Sequence, residues 1–205
     1  MSAISAPHTL RTAVVPRSSV LVEAVLVLAG VGLIALAAQV AIPLPFTPVP
    51  ITGQTFAVLL VGSAYGALRG GATVLFYLAA GAAGLPLYAE GASGWDIVAG
   101  PTGGYLVGML IAGALVGRLA EQRWDRSFSS ATGAMLLGSV VIYGCGLPWL
   151  SYKLGDLGVA NGLDDTLTAG LYPFVVGDLV KLYLAGALLP GAWRLVERMT
   201  GRSHG

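Results

Sequence analysis

The sequence predicts an all-α integral membrane protein built as a six-transmembrane-helix bundle. Three observations predict it. The 205 residues are 56% hydrophobic and only 10% charged, whereas a soluble domain carries about 25% charged residues. Apolar segments recur along the chain near the length of about 20 residues that a helix needs to cross the hydrocarbon core. Basic residues gather in alternate connections, as they do where successive helices cross a bilayer in opposite directions.

Residues 1–18 are mixed and polar, with Pro7, Arg11, Pro16 and Arg17. They hold no apolar run followed by a small-residue cleavage site, so no removable signal peptide is expected. The first span runs from about Val20 to Ile42 and ends in a proline-dense stretch, Pro43 to Pro50. The second covers about Gly53 to Leu68, and Arg69-Gly70-Gly71 separates it from a short third span ending near Gly84. A long connection, Leu85 to Gly103, carries Glu90, Trp95 and Asp96. The fourth span covers about Gly104 to Ala120, followed by a charged loop with Glu121, Arg123, Asp125 and Arg126. The fifth runs from Ala131 to about Leu150, and a loop with Lys153, Asp156, Asp164 and Asp165 leads to the last, about Leu171 to Trp193. The expected organisation is an N-terminal tail over 1–19, one transmembrane domain over 20–196 and a C-terminal tail over 197–205.

Charge placement orients the bundle. With six spans and both termini cytoplasmic, the inner face holds Arg11, Arg17, Arg69, Arg118, Arg123, Arg126, Arg194, Arg198 and Arg202. The outer face holds Lys153 alone, because Lys181 falls inside the last span. Nine against one satisfies the positive-inside rule, and an odd number of spans would put the C-terminal arginines outside. Both termini are therefore expected on the cytoplasmic side.

Composition also excludes function classes. A net charge of +1 argues against a nucleic-acid partner. One cysteine, Cys145, allows neither an internal disulfide nor a thiolate metal cluster. Both histidines, His8 and His204, lie in the tails, so no span offers a serine–histidine dyad or a histidine metal site. No nucleotide-binding motif is present, so this chain does not itself hydrolyse ATP. An enzyme and a bound cofactor are not expected.

Three features carry chemistry. Asp178 and Lys181 stand three residues apart in Gly-Asp-Leu-Val-Lys, which puts both on one helical face. For a span beginning near Leu171 they would lie roughly 10 to 15 Å below its outer end. A charge there is costly unless paired or hydrated. Two compatible readings fit: a mutually neutralising packing clamp, or a pair lining a water-accessible pocket, the ammonium meeting a ligand carboxylate and Asp178 accepting ligand N–H groups.

The second feature is Pro43-Leu-Pro-Phe-Thr-Pro-Val-Pro-Ile-Thr-Gly-Gln-Thr55. Its alternating prolines favour a stiff, extended backbone, and Thr47, Thr52, Gln54 and Thr55 supply donors and acceptors beside Phe46. It reads as a lid or pocket wall, or as a plain connection. The third, Gly100-Pro-Thr-Gly-Gly-Tyr-Leu-Val-Gly108, enters the fourth span. Its glycines allow backbone to approach either a ligand or a neighbouring helix. Small residues on the first helix (Ala29, Gly30, Gly32, Ala35, Ala37, Ala38, Ala41) permit close packing within the chain or against a membrane partner. Tyr88, Trp95, Trp149, Tyr152 and Tyr172 read as interfacial aromatics or as stacking surfaces for a ligand.

Together the proline-threonine stretch, the Gly-Pro-Thr-Gly-Gly-Tyr-Leu-Val-Gly segment and the Asp-x-x-Lys of the last helix resemble the BioY family. These are the biotin-specific substrate-capture (S) components of energy-coupling factor (ECF) transporters. The resemblance runs from about Val20 to Trp193 with the motifs in the same order. It implies a six-helix bundle with a biotin pocket opening to the outer face. Lys181 would meet the valerate carboxylate with Asp178 beside it. Thr52, Gln54 and the Gly103-Gly104-Tyr105 turn match positions near the pocket. Biotin would be cargo, not a cofactor. The implied partners are a transmembrane T component, two ATP-binding cassette (ABC) subunits and the lipid bilayer. In that family the S component tilts in the membrane to release its ligand inside, and some members mediate uptake without the partners. Two rivals remain: an S component for another small vitamin, which would share the architecture, and an ion-coupled secondary transporter with Asp178 as its coupling site.

Overall fold

The computed structural model describes residues 9–16 and 19–200. Pro7, His8, Arg17, Arg202 and His204, and with them most of both expected tails, lie outside the described residues. A short helix α1 (Leu10–Val14) opens the described chain, its N-terminus held by a capping box between Thr9 and Thr12. Residues 9–16 are therefore not a free tail. Buried Arg11 reaches Glu23 in α2 (Val20–Gln39), and Glu23 also accepts from Arg69 Nε at 3.0 Å.

Beyond α2, two short antiparallel strands frame the proline-dense loop: β1 (Ala41–Ile42) and β2 (Ile51–Thr52), with Ala41 opposite Thr52. The first helix thus ends at Gln39, three residues before Ile42, because the chain turns into this ribbon. Then come α3 (Gln54–Tyr65) and α4 (Ala67–Ala82). The break between them falls at Gly66 (φ +85°), not at Arg69-Gly70-Gly71. That backbone angle lies in the left-handed region that only glycine enters without steric cost. Arg69 and the glycines after it sit inside α4. The tight turn brings Gly62 and Gly70 together, so that a Cβ on Gly70 would stand 2.7 Å from the Gly62 Cα.

The long connection holds a short helix α5 (Trp95–Ala99) and leads to α6 (Gly103–Glu121). Next are α7 (Phe128–Asp156), α8 (Leu163–Gly170) and α9 (Val175–Thr200). Among the described residues, four helical stretches are long and apolar enough to cross a membrane: Val20–Gln39, Gly103–Glu121, Phe128–Asp156 and Leu163–Met199. The helices Gln54–Tyr65 and Ala67–Ala82 are apolar but shorter, at 12 and 16 residues against the roughly 20 of a full span. Length alone therefore assigns four spans, not six.

Helix α6 is the centre. Its buried residues lie on every side: Tyr105 and Met109 toward the cavity described below, glycines toward the neighbouring helices. A Cβ on Gly108 would come 2.8 Å from the Ile142 Cα of α7, and one on Gly117 would come 2.6 Å from the Ala67 nitrogen at the start of α4. Such backbone-to-backbone approach supplies the dispersion contacts that hold membrane helices together without a hydrophobic driving force. The last residue of α6, Glu121, accepts the Ala67 N–H at 3.0 Å and so caps α4. Helix α2, by contrast, buries only Gly30, Ile34 and Ala38 and presents Leu21, Leu28 and Leu36 outward.

One end of the bundle, the arginine end, holds the Gly66 turn, the α6–α7 connection and the C-terminal half of α9, with Arg69, Arg118, Arg123, Arg126, Arg194 and Arg198. There Asp125 is 1% exposed, accepts the Trp193 indole N–H at 2.5 Å and pairs with Arg126 at 3.4 Å. Burial pushes its carboxyl above the ordinary range against those two favourable contacts. The other end, the ribbon end, holds β1–β2, α5 and α8.

Gly108→Val places a branched side chain against the α7 backbone and is expected to destabilise the protein by about 1–3 kcal/mol. At Gly32 an added Cβ meets nothing within 4 Å, so Gly32→Ala leaves stability unchanged or raised. Denaturation in detergent compares the two; equal midpoints would remove the case for close packing at Gly108.

Candidate functional site

A cavity of about 720 Å³, counted to its open mouth, lies between α3, α6, α7 and α9 at the ribbon half of the bundle. Val49 and Pro50 of the proline-dense loop and Thr52 of β2 line its ribbon side, and Phe174 borders it from the segment before α9. The lining is mostly apolar, with Leu106, Met109 and Ile142 on the walls. Polar groups sit at two places.

The deeper polar place is a four-residue chain. Lys181 donates to Asp178 Oδ1 and to Thr55 Oγ1, each at 3.0 Å, and the Tyr143 hydroxyl donates to Asp178 Oδ2. Asp178 is thus satisfied on both oxygens. An ammonium carries three donors, and the third N–H of Lys181 makes no hydrogen bond among the described residues. The i,i+3 spacing brings Asp178 and Lys181 together as the sequence predicts. Helix α9 starts at Val175, directly after a single 3-10 turn over Tyr172–Phe174, so Asp178 lies in its first turn and Lys181 about 9 Å along it at about 1.5 Å per residue. The negative charge therefore sits where the helix dipole favours it.

The second polar place is Gln54, 5% exposed. Its amide N–H donates to the Tyr77 hydroxyl at 2.9 Å, and Tyr77 donates onward to the Leu87 carbonyl at 3.1 Å. Since Tyr77 spends its proton on Leu87, it can only accept from Gln54. That fixes the amide with its carbonyl oxygen left as an acceptor at the cavity. Thr52 lines the ribbon side and its hydroxyl accepts the Gln54 backbone N–H at 3.3 Å.

Two further bonds hold the ribbon side in place. Thr47 donates to the Ala169 carbonyl at 2.7 Å, tying the proline-dense loop to the end of α8. Tyr105 donates to the neighbouring Gly170 carbonyl at 2.9 Å. The loop is a fixed wall of the cavity, and the donors anticipated in it serve partly to anchor it.

Of the residues singled out in the sequence, Asp178, Lys181, Thr52, Gln54 and Tyr105 line this one cavity. Gly103 and Gly104 are not among its lining residues. A Cβ on Gly104 would meet the Cys145 carbonyl of α7 at 2.6 Å, and one on Gly103 would press on Val98. These two glycines serve helix contact, and Tyr105 beside them reaches the cavity. The aromatics also separate. Tyr88 is buried, lines the cavity, and stands edge-on to Tyr77 at 5.7 Å. Burial raises its phenol above the ordinary range. Trp95, Trp149, Tyr152 and Tyr172 are exposed.

Tyr143 and Ser139 are cavity residues that the sequence reading did not single out. The available signal was their spacing: two hydroxyls one turn apart on an otherwise apolar stretch of α7 share a face.

The residues 8–198 match the model of the BioY family. This chain belongs to the BioY family. It is 36% identical to the biotin transporter BioY of Thermotoga maritima over 80% of this chain and 92% of that protein. It is 37% identical to the biotin transporter BioY of Rhodobacter capsulatus over 75% of this chain and 83% of that one. A solved crystal structure of the S component for biotin from an ECF-type ABC transporter superposes with a TM-score of 0.74 at 25% identity, covering 84% of this chain and 90% of that one. The family is one of transporters, so this chain is a membrane transport protein and not an enzyme.

Tyr143→Phe removes the donor to Asp178 Oδ2 and leaves a carboxylate oxygen short of a partner. The expected cost is about 1–3 kcal/mol of stability, read from denaturation in detergent without added ligand. An unchanged midpoint would mean that water replaces the phenol at no cost.

Proposed function

We propose that this chain captures biotin at the ribbon end of the bundle and takes it up as the S component of an ECF-type ABC importer. The observation that carries the reading is the uncommitted N–H of Lys181 at the deep end of a largely apolar cavity, in a chain of the BioY family. Biotin has an anionic tail, an apolar chain and sulfur ring, and a ureido head with two N–H donors. A suitable pocket needs a cation at one end, apolar walls between, and acceptors at the other. Lys181 supplies the cation, Leu106, Met109 and Ile142 the walls, and the Gln54 carbonyl an acceptor nearer the ribbon. Asp178 holds the ammonium in place and keeps the deep end neutral overall until an anion arrives.

The crossing helices in this reading are α2, α3, α4, α6, α7 and α9, a six-helix bundle in which the short pair α3–α4 shares the turn at Gly66. Gathering of six arginines at one end supports both termini on the cytoplasmic side of a prokaryotic inner membrane. The partners proposed are a transmembrane T component and two ABC ATPase subunits, which supply the energy that this chain has no motif to extract. Biotin is the cargo, and no cofactor enters the scheme.

Titration of the purified chain in detergent with biotin, beside riboflavin and thiamine, tests the reading. One-to-one binding of biotin alone is expected. Lys181→Ala should weaken it by about 2–5 kcal/mol, because the ligand carboxylate then lies buried without its partner. A well-folded wild type that ignores biotin would overturn the substrate, and normal binding by the variant would overturn the role of Lys181.

A further inference from the structure

We propose that the Ser139 hydroxyl and the uncommitted N–H of Lys181 together form the seat of the ligand carboxylate, at the boundary between the main cavity and a second one beneath it. The proposal rests on the biotin reading above and names a binding residue that the reading does not contain.

The second cavity, a narrow one, shares four residues with the first: Thr55, Ser139, Asp178 and Lys181. Its remaining walls include Leu59, Met135, Leu182 and Ala185. Helices α3 and α9 run from the ribbon end toward the arginine end, and α7 runs the opposite way. Leu59, Met135 and Ala185 are therefore each about one turn nearer the arginine end than Thr55, Ser139 and Lys181. The two cavities lie in series, and the shared residues form the layer between them.

Three of those four are engaged with one another, Lys181 donating to both Thr55 and Asp178. Ser139 is not. Its hydroxyl makes no hydrogen bond among the described residues, although it stands within an apolar helix. A helical Ser or Thr so placed commonly bonds back to the carbonyl four residues earlier. Thr73 does this in the same protein, donating to the Arg69 carbonyl at 2.8 Å. The Ser139 hydroxyl instead borders both cavities with its proton uncommitted.

A carboxylate accepts through two oxygens. At the shared layer it would meet one N–H of an ammonium already oriented by Asp178 and Thr55, and one O–H from the facing helix. The space beneath is no larger than about one water, so the second oxygen stays on the main-cavity side of the layer. The walls below are apolar, which gives the anion no reason to pass further. The layer thus sets how far a carboxylate tail can descend. Ser139 acts as a donor that distinguishes a charged tail end from a neutral one.

Binding of biotin and of its alcohol analogue, in which the carboxylate is reduced to CH2OH, is to be measured on the purified wild type, Ser139→Ala and Ser139→Thr. Loss of a hydrogen bond to a charged group predicts roughly tenfold or more weaker biotin binding in Ser139→Ala. The alcohol should weaken less than about threefold, and Ser139→Thr, which restores the hydroxyl, should recover most of the biotin affinity. Unchanged biotin binding in Ser139→Ala overturns the seat while the biotin reading stands. Equal loss for biotin and the alcohol also overturns it, since that marks general damage to the pocket. A wild type that binds no biotin overturns the reading and the seat together.

Discussion

The architecture depends on how closely the backbone of α6 approaches its neighbours. Gly104 and Gly108 let α7 in on one side, and Gly117 lets the α3–α4 turn in on another. In a bilayer the apolar side chains of separated helices are already content with lipid. Close packing between backbones is what makes association favourable. Once α7 and the α3–α4 pair are seated on α6, Tyr105, Leu106 and Met109 face a gap that α9 only partly fills, and that gap is the cavity. The glycines of the Gly-Pro-Thr-Gly-Gly-Tyr segment therefore shape the pocket from behind.

Charge at the floor of the cavity is managed by the same packing. An isolated ammonium or carboxylate there would be costly. The pair is joined by a phenol from α7 and a hydroxyl from α3, so three helices converge on it. This arrangement unites the clamp and the pocket readings of Asp178 and Lys181. The ion pair holds α9 to α3 and α7, and one N–H of Lys181 makes no hydrogen bond among the described residues. Asp125 at the arginine end shows the purely structural counterpart. There a buried carboxylate is consumed by Trp193 and Arg126, and it faces no cavity among those described.

Pocket walls distant in sequence are tied by backbone acceptors. Ala169 and Gly170 receive Thr47 and Tyr105, so the proline-dense loop, α6 and the end of α8 meet at two adjacent carbonyls. Exposed carbonyls at the end of a helix need partners, and here long-range side chains supply them. The polar residues of the loop thus divide between anchoring, as for Thr47, and lining, as for Thr52.

Composition, apolar runs and the distribution of arginines were enough to establish a helical membrane protein with its basic end identified. The Asp-x-x-Lys spacing was enough to pair those two side chains, because helical periodicity is local and requires no tertiary information. Five of the seven residues singled out for a site line one cavity. The helix boundary at Gly66 was not legible, because Gly66, Gly70 and Gly71 are equal in sequence and only the packed turn selects which adopts positive φ. Nor were Gly103 and Gly104 separable from Tyr105. Whether a glycine faces a ligand or a neighbouring helix depends on which helix lies across from it. Tyr143 and Ser139 acquire meaning only when α7 is set against α3 and α9. That juxtaposition brings together residues more than a hundred positions apart, such as Thr55 and Lys181, and no local pattern encodes it.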